Sequence, residues 1–290
     1  MTESRYRGRF APSPTGPLHF GSLVTAVASF LEARSRGGTW LVRIEDLDPL
    51  RESPEATQQI LASLEAHGLH SNEPVRFQSE RHPHYQKLVD QLLAQRLAYR
   101  CACSRKQLRE HGGRHPERCR EGHADPGERP FAVRFALHDE HSEWHDQLLG
   151  PQTQQVQAEL DDPVILRKEG FYAYQLAVVA DDIDQGITHV VRGSDLLEMT
   201  AQQQQIYHAL GARPPHWMHI PVILNAEGQK LSKQNHAPAL NDRIAKQNLE
   251  QALAALGQDL SSLSGAADID TLLDRAAANW APERIHLTVR

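Results

Sequence analysis

The chain has 290 residues, of which 40% are hydrophobic and 23% are charged. These values are typical of a globular protein with one large domain or two small ones. The formal net charge of −6 argues against nucleic-acid binding over the whole surface. No apolar stretch reaches the ~18 residues of a membrane span, and the polar residues 2–7 are unlike a signal peptide. We therefore expect a cytoplasmic protein without membrane contact.

A rigid turn near the start of the chain precedes a predicted helix. Residues 12–17 contain three prolines and a glycine, which leave few free dihedrals. Apolar residues then recur at helical spacing, at Leu23, Val27, Phe30 and Leu31. The resulting helix would begin near Gly21, and a helix N-terminus favours phosphate binding. A packed loop between a strand and a helix would explain the same residues, so the turn alone assigns no function.

Strands and helices alternate through residues 1–98. We predict strands over 7–11 and 40–44, and helices over 21–36, 54–68 and 82–96. Ser53 is the predicted N-cap of the second helix, with Pro54 at its first position. This alternation predicts an α/β fold with a parallel sheet. Ligands of such sheets bind at the carboxyl ends of the strands, where Ser13 and Glu45 are expected.

The alternation stops between residues 99 and 157, which we interpret as an insertion with one short strand over 131–137 and a Gln-rich tail. Residues 100–120 contain seven Arg or Lys residues against two Glu, which is a local basic patch for RNA or a solvated loop. The same insertion contains the only cysteines, Cys101, Cys103 and Cys119. Cysteines at i and i+2 share one face of an extended segment and can bind one tetrahedral ion. Candidates for a fourth ligand are His111, His115 and His123.

Strands and helices alternate again over residues 158–240. The predicted strands are 164–167, 187–192 and 219–224, and the predicted helices are 174–183 and 195–210. Residues 241–290 are expected to be helical, with Leu249, Leu253 and Leu256 on one apolar face. Between these parts, Lys230 and Lys233 flank Ser232 directly after a turn at 225–228. Such a cationic loop could neutralise charge on a triphosphate, although charge runs are usually solvated surface.

The turn and the lysine loop together resemble a known family. Pro-Ser-Pro-Thr-Gly-Pro-Leu-His-Phe-Gly-Ser (12–22) and Lys-Leu-Ser-Lys-Gln (230–234) resemble the two signature sequences of class I aminoacyl-tRNA synthetases. Residues 43–48, 174–177 and 192–195 resemble the glutamyl branch of that family. The resemblance extends over residues 7–240. It implies a Rossmann-like parallel-sheet catalytic domain with a zinc-bearing insertion, followed by a short helical C-terminal part.

The resemblance also implies how ATP is held. The chain has neither a P-loop nor a strand-linked Gly-x-Gly-x-x-Gly motif. ATP, expected with Mg²⁺, would instead contact His19, Gly21, Ser22 and Lys233. His19, Lys230 and Lys233 are the expected catalytic residues, and Lys233 is the expected transition-state stabiliser. Attack of a carboxylate on the α-phosphorus requires positioning and charge neutralisation, so we assign no general base.

The implied amino-acid substrate is L-glutamate, which has two carboxylates and one ammonium group. Arg9 and Arg192 could each form a fork onto a carboxylate, and Glu45 could accept from the ammonium. Ser13, the backbone at Ala11 and the Tyr174 hydroxyl are expected to assist. Each of these residues alone is more often part of a surface salt bridge. The resemblance further places His115 at the position of a fourth ligand, beside Cys101, Cys103 and Cys119, to a structural Zn²⁺.

The chain resembles in particular a short paralogue of glutamyl-tRNA synthetase. It implies that the glutamyl acceptor is queuosine in the anticodon stem-loop of tRNA(Asp), and that activation proceeds without tRNA. Only about fifty residues follow the lysine loop, so we expect no full anticodon-binding domain, and we expect a monomer. One alternative is a truncated glutamyl-tRNA synthetase that charges a tRNA 3′ end. Another is a non-catalytic RNA-binding paralogue, which the retained site residues argue against.

Overall fold

A computed structural model describes residues 5–110, 117–120, 126–138, 141–224 and 238–286. The strands in these ranges are β1 (Arg7–Phe10), β2 (Thr39–Ile44), β3 (Arg76–Phe77), β4 (Ala98–Cys101), β5 (Ala132–Phe135), β6 (His141–Asp146), β7 (Gly150–Gln155), β8 (Val164–Leu166), β9 (His189–Gly193) and β10 (His216–Ile220). The α-helices are α1 (Phe20–Ser35), α2 (Pro54–Ala66), α3 (His82–Ala94), α4 (Arg105–Glu110), α5 (Glu117–Arg120), α6 (Val156–Glu159), α7 (Tyr174–Asp184), α8 (Thr200–Ala209), α9 (Ala245–Ala255) and α10 (Ile269–Ala278).

Parallel strands form the centre of the fold. Strands β1, β2 and β3 pair in parallel, and so do β9, β10 and β6. The two sets meet at β1 and β9, where the Thr188 N–H donates to the Arg7 carbonyl oxygen at 2.9 Å. The predicted α/β class with a parallel sheet is therefore confirmed. All carboxyl ends of these strands open onto the same edge of the molecule, where ligands of such sheets bind.

Helices cover both faces of the sheet and form two apolar cores with it. Helix α1 is buried along most of its length and packs against β1, α9 and α10. Helices α3, α7 and α8 form the second core with the opposite face. The predicted cap of α2 is present, since the Ser53 hydroxyl accepts from the Ala56 N–H at 3.1 Å. Gly68 follows α2 with φ +68°, and a Cβ there would lie 2.8 Å from Ile269 Cγ2. The turn therefore requires glycine.

Two segments form strands that differ from the sequence-based predictions. Residues 164–167 were expected to continue the parallel sheet, but β8 pairs antiparallel with β5 in a separate sheet, β4-β5-β8. The Gln-rich stretch was expected to lie outside the main sheet, but β6 and β7 form a hairpin whose first strand pairs with β10. Most side chains of the hairpin are exposed or partly exposed, so polar residues are tolerated at these positions. It therefore lacks the apolar alternation that indicates a strand.

Within residues 241–286 the chain forms helices α9 and α10. Leu249, Leu253 and Leu256 are buried against α1 in the first core. The indole Nε1 of Trp280 donates to Glu32 of α1 at 2.6 Å, which joins the C-terminal part of the chain to α1. Across the described ranges, none of the helices combines enough length and apolar character to cross a membrane.

Candidate active site

A cavity of about 270 Å³ opens at the carboxyl ends of β1, β9 and β10, in front of the first residues of α1. Eight of the predicted site residues line it: Arg9, Ala11, Ser13, His19, Gly21, Ser22, Tyr174 and Arg192. The two arginines are nearly fully buried, with 4% of each exposed. Buried guanidinium groups beside a solvent-accessible cavity suit a ligand with carboxylates. The fold therefore brings together residues that are 183 positions apart in the chain, Arg9 and Arg192.

His19 is the N-cap of α1. Its Nδ1 accepts from the Ser22 N–H at 3.2 Å, and its Nε2 lies 3.0 Å from the Ser22 hydroxyl. Because Nδ1 is an acceptor, the proton of the neutral ring is on Nε2. The imidazole is thus fixed with its Nε2–H donor near the N-terminus of α1. The Ser22 amide, which the sequence assigned to phosphate, is used by this cap.

Arg192 at the end of β9 is held on three sides. Its Nε donates to His219 Nε2 at 2.9 Å, its Nη1 to Gln203 Oε1 at 2.7 Å, and its Nη2 to Thr200 Oγ1 at 2.9 Å and the Leu196 carbonyl at 3.2 Å. Its guanidinium also lies over the Trp217 ring, 4.6 Å from the centroid. Within the described residues, these bonds leave one N–H, on Nη1. Arg192 can therefore offer a single N–H here, and not the fork that the sequence predicted.

Arg9 belongs to a buried charge cluster that we define as Arg9, Arg43 and Asp182. Arg9 Nε donates to Asp182 Oδ1 at 3.0 Å, and Arg43 Nη1 donates to the same oxygen at 2.8 Å. Burial favours a raised pKa for Asp182, but the two guanidinium groups outweigh burial and hold its pKa below the usual range. Arg9 Nη1 has no partner among the described residues. Nη2 donates to Asp182 at 3.2 Å and keeps a second N–H, so both terminal nitrogens can donate to a ligand carboxylate.

Glu45 lies beside the cavity without being part of its lining. Its backbone N–H donates to the Pro12 carbonyl at 3.0 Å, which joins the end of β2 to the proline turn. Its carboxylate is 3.4 Å from Arg43 Nη2. Burial raises the pKa of Glu45 to about 7, against the opposing effect of Arg43 and Arg9. The hydrogen bond to Arg43 is long, and burial makes the negative charge of Glu45 unfavourable. An incoming ammonium group would stabilise that charge, so Glu45 is suited to accept from it.

Tyr174 is the first residue of α7, and burial raises the pKa of its hydroxyl above the usual value. The hydroxyl is therefore neutral at physiological pH and can donate to a carboxylate. Two other predicted residues, Lys230 and Lys233, lie outside the described residues. The segments on either side of them are described. Ile223 lines the cavity, and Ala239 forms an antiparallel bridge with His19.

The three cysteines come together at the edge of the separate sheet β4-β5-β8. The Sγ atoms of Cys101, Cys103 and Cys119 all lie within 4.8 Å of one another, and none forms a disulfide. Burial and the neighbouring thiols raise the pKa of Cys119 to about 12. Three crowded thiols resist ionisation unless a cation compensates for their charge, so this donor set fits a divalent ion such as Zn²⁺. His111, His115 and His123 lie outside the described residues.

Sequence reasoning missed the residues that hold the predicted ones in place. Asp182, Asp146 and His219 are each fully or nearly fully buried, and each contacts an arginine of the site directly or through one neighbour. The sequence signal that could have identified such residues is a charged or titratable residue within an otherwise apolar helix or strand. Such a residue is rarely buried unless it is paired.

Comparison with known proteins identifies the family. Residues 5–254 match the model of the catalytic domain of class I tRNA synthetases (E and Q). Proteins named "Glutamyl-Q tRNA(Asp) synthetase" from Chromobacterium violaceum and Vibrio parahaemolyticus are 46% and 44% identical to this chain. The matches cover 98% and 99% of this chain and 97% and 98% of theirs.

Solved structures agree with the sequence comparisons. The glutamate tRNA ligase of Elizabethkingia meningosepticum, solved in complex with its amino acid, superposes with a TM-score of 0.79 at 25% identity. The match covers 98% of this chain, which spans 66% of the length of that ligase. The chain therefore belongs to the family of class I tRNA synthetases (E and Q) and contains its catalytic domain.

Proposed function

We propose that this protein activates L-glutamate with ATP and transfers the glutamyl group to queuosine in the anticodon of tRNA(Asp). The names of relatives that match nearly the full chain at 42–46% identity support the acceptor. The cavity supports the amino acid, because a glutamate site requires two cations and one anion. Arg9, Arg192 and the adjacent Glu45 supply these charges.

The observation on which this proposal chiefly depends is that the described segments flanking the lysine loop lie at the same cavity as the proline turn. The proline turn and His19 line one side, and Ile223, two residues before the undescribed loop segment, lines another. After that segment, the Leu240 N–H donates to the Leu18 carbonyl at 3.0 Å. The described residues on either side of the lysine loop thus lie beside the proposed phosphate site. This arrangement supports a role for Lys230 and Lys233 on the triphosphate.

The proposed reaction has two steps. A carboxylate oxygen of glutamate attacks the α-phosphorus of ATP, the bond between this phosphorus and the oxygen bridging to the β-phosphate breaks, and pyrophosphate leaves. A hydroxyl of the queuosine cyclopentenediol then attacks the mixed anhydride and displaces AMP. The first step develops charge on the pyrophosphate, which His19, Lys230 and Lys233 would stabilise. Arg9, Ser13, Tyr174 and Arg192 would orient the glutamate.

Glutamate-dependent exchange of radiolabelled pyrophosphate into ATP, measured without RNA, tests the activation step. We expect exchange with L-glutamate and less with L-aspartate, whose side chain is one methylene shorter. The Lys233→Ala variant serves as the internal control, and we expect it to show no exchange. Absence of exchange with the unmodified protein would contradict the proposal.

The acceptor is tested separately with tRNA(Asp) preparations that contain or lack queuosine. We expect glutamylation only of the queuosine-containing tRNA, and no loss when its 3′-terminal adenosine is removed. Charging that depends on the 3′ adenosine and ignores queuosine would instead support a glutamyl-tRNA synthetase activity, as in the glutamate tRNA ligase that this fold resembles.

We propose that Cys101, Cys103 and Cys119 hold a structural Zn²⁺, with a histidine, His115 in the first instance, as fourth ligand. Four protein ligands leave no open position, so the ion would stabilise the insertion and take no part in the reaction. Elemental analysis of the purified protein should give about one zinc per chain, and Cys103→Ala should reduce this to near zero. Ser104→Ala, one residue further along and outside the cluster, should retain the metal. Equal zinc content in both variants would refute the site.

A further inference from the structure

A buried acid–histidine pair contacts Arg192 and is not part of the cavity lining. Asp146 ends β6 and His219 lies in β10, and neither side chain is exposed. The His219 ring Nδ1 is 2.6 Å from Asp146 Oδ2. The other carboxylate oxygen accepts from the backbone N–H groups of Leu148 and Leu149, both at 3.0 Å. Asp146 is thus fully satisfied as an anion.

The partners of His219 determine its tautomer. Arg192 Nε can only donate, and it lies 2.9 Å from His219 Nε2. Nε2 must therefore present its lone pair, so the proton of the neutral ring is on Nδ1 and points to Asp146. Asp146 selects this tautomer, as a carboxylate does for a histidine in hydrolase triads. In the opposite tautomer, two N–H groups would face each other between Arg192 and His219.

The consequence for Arg192 is a fixed guanidinium plane. Nε is held by His219, while Gln203 and Thr200 hold the two terminal nitrogens. The side chain therefore has little freedom except at the single Nη1 N–H left among the described contacts. We infer that Asp146 and His219 are positioning residues that orient Arg192 for recognition of the amino-acid substrate. This inference rests on the proposed function, because it takes Arg192 to contact glutamate.

A purely structural role is the competing explanation. Among the described residues, strand β6 pairs with β10 at one position, Trp217 with Asp146, so the acid–histidine pair also joins the hairpin to the sheet. Two substitutions of His219 separate the roles. Asparagine can place a donor near the Nδ1 position and keep the bond to Asp146, but it removes the acceptor for Arg192. Glutamine can place its amide oxygen near the Nε2 position and keep that acceptor, but it loses Asp146.

The two variants should therefore rank oppositely in the two assays. His219→Asn should have the higher KM for glutamate in pyrophosphate exchange, and His219→Gln should have the lower thermal stability. We expect His219→Asn to raise the KM for glutamate about tenfold to a hundredfold, the effect of losing one hydrogen bond to a charged group. His219→Gln should keep this KM within about threefold while losing more thermal stability than His219→Asn. The KM for ATP should stay unchanged in both. A KM for glutamate that follows the loss of stability, with glutamine the worse substitution, would overturn the inference.

A second readout does not depend on activity. The nitrogen NMR shifts of His219 in the unmodified protein should show a protonated Nδ1 and an unprotonated Nε2 at neutral pH. A proton on Nε2 would overturn the positioning role whatever the kinetics. If the expected tautomer is found but the unmodified protein shows no glutamate-dependent exchange, the proposed function fails and the orientation of Arg192 stands.

Discussion

Asp182→Ala is expected to lower the free energy of unfolding by about 3–5 kcal/mol, the cost of removing one partner from a buried ion pair. Asp182 accepts from Arg9 Nε at 3.0 Å and from Arg43 Nη1 at 2.8 Å, and Tyr207 donates to it at 3.3 Å. Arg43 is completely buried. Without the carboxylate, two guanidinium groups would remain inside the protein with their principal counter-charge removed. Chemical denaturation followed by circular dichroism measures this loss.

Asp184 in the same helix is the matched control. It pairs with Arg76 and Arg81, but its side chain is 41% exposed, so water replaces the lost contacts. Asp184→Ala should therefore cost less than about 1 kcal/mol. Equal unfolding midpoints for the two alanine variants would show that the buried charge cluster has no special weight in stability.

Glu45→Gln is expected to raise the KM for glutamate about thirtyfold, which corresponds to about 2 kcal/mol for a charge-assisted hydrogen bond to the substrate ammonium. The amide keeps the size of the side chain but cannot supply the negative charge. Because Glu45 is not among the proposed ATP contacts, the KM for ATP should change little. Steady-state pyrophosphate exchange at varied glutamate concentration measures both constants.

The pH dependence of this KM provides an independent check. Burial raises the pKa of Glu45 to about 7, so the carboxyl group is mostly neutral below that pH and cannot pair with an ammonium. The KM for glutamate should therefore rise as the pH falls below about 7. The raised pKa also means that the stability contributed by protonated Glu45 is present at low pH and lost as the pH rises through about 7. Glu45→Gln should remove both dependences.

Glu52 is the control for this pH effect. Burial raises its pKa to about 6, but it lies outside the cavity lining and accepts from the Asp48 backbone N–H at 2.8 Å. Glu52→Gln should leave the pH dependence of the glutamate KM as it is in the unmodified protein. If Glu52→Gln removes the dependence and Glu45→Gln does not, Glu45 is not the ammonium acceptor.

The sequence predicted the parallel core well because its elements have strong local signals. Helix α2 begins after a serine cap and a proline at its first position, and helix α3 has a clear apolar stripe. The hairpin β6–β7 lacks such signals, since its side chains alternate between partly exposed and exposed positions. Its place in the sheet depends on pairing with β10, a contact 71 residues distant along the chain at Trp217 and Asp146. Local patterns contain no information on such pairing.

The candidate site likewise combines residues that the sequence predicts with contacts that depend on the assembled fold. Motif resemblance selected Arg9, His19, Tyr174 and Arg192, and the fold places all four at one cavity. The bonding of the arginines could not be predicted, because Asp182 and His219 are recognisable as partners only once the strands are assembled. That bonding limits Arg192 to one available N–H among the described residues, where residue type alone suggested a bidentate fork.

A crystal structure with a non-hydrolysable glutamyl-adenylate analogue tests the central claim most directly. We predict that the analogue occupies the cavity, with its ammonium within hydrogen-bond distance of Glu45 and its side-chain carboxylate at an arginine of the pair Arg9 and Arg192. Its phosphate should lie at the start of α1, with Lys233 closing over it. An analogue bound elsewhere, or one whose phosphate lies far from both His19 and Lys233, would contradict the account.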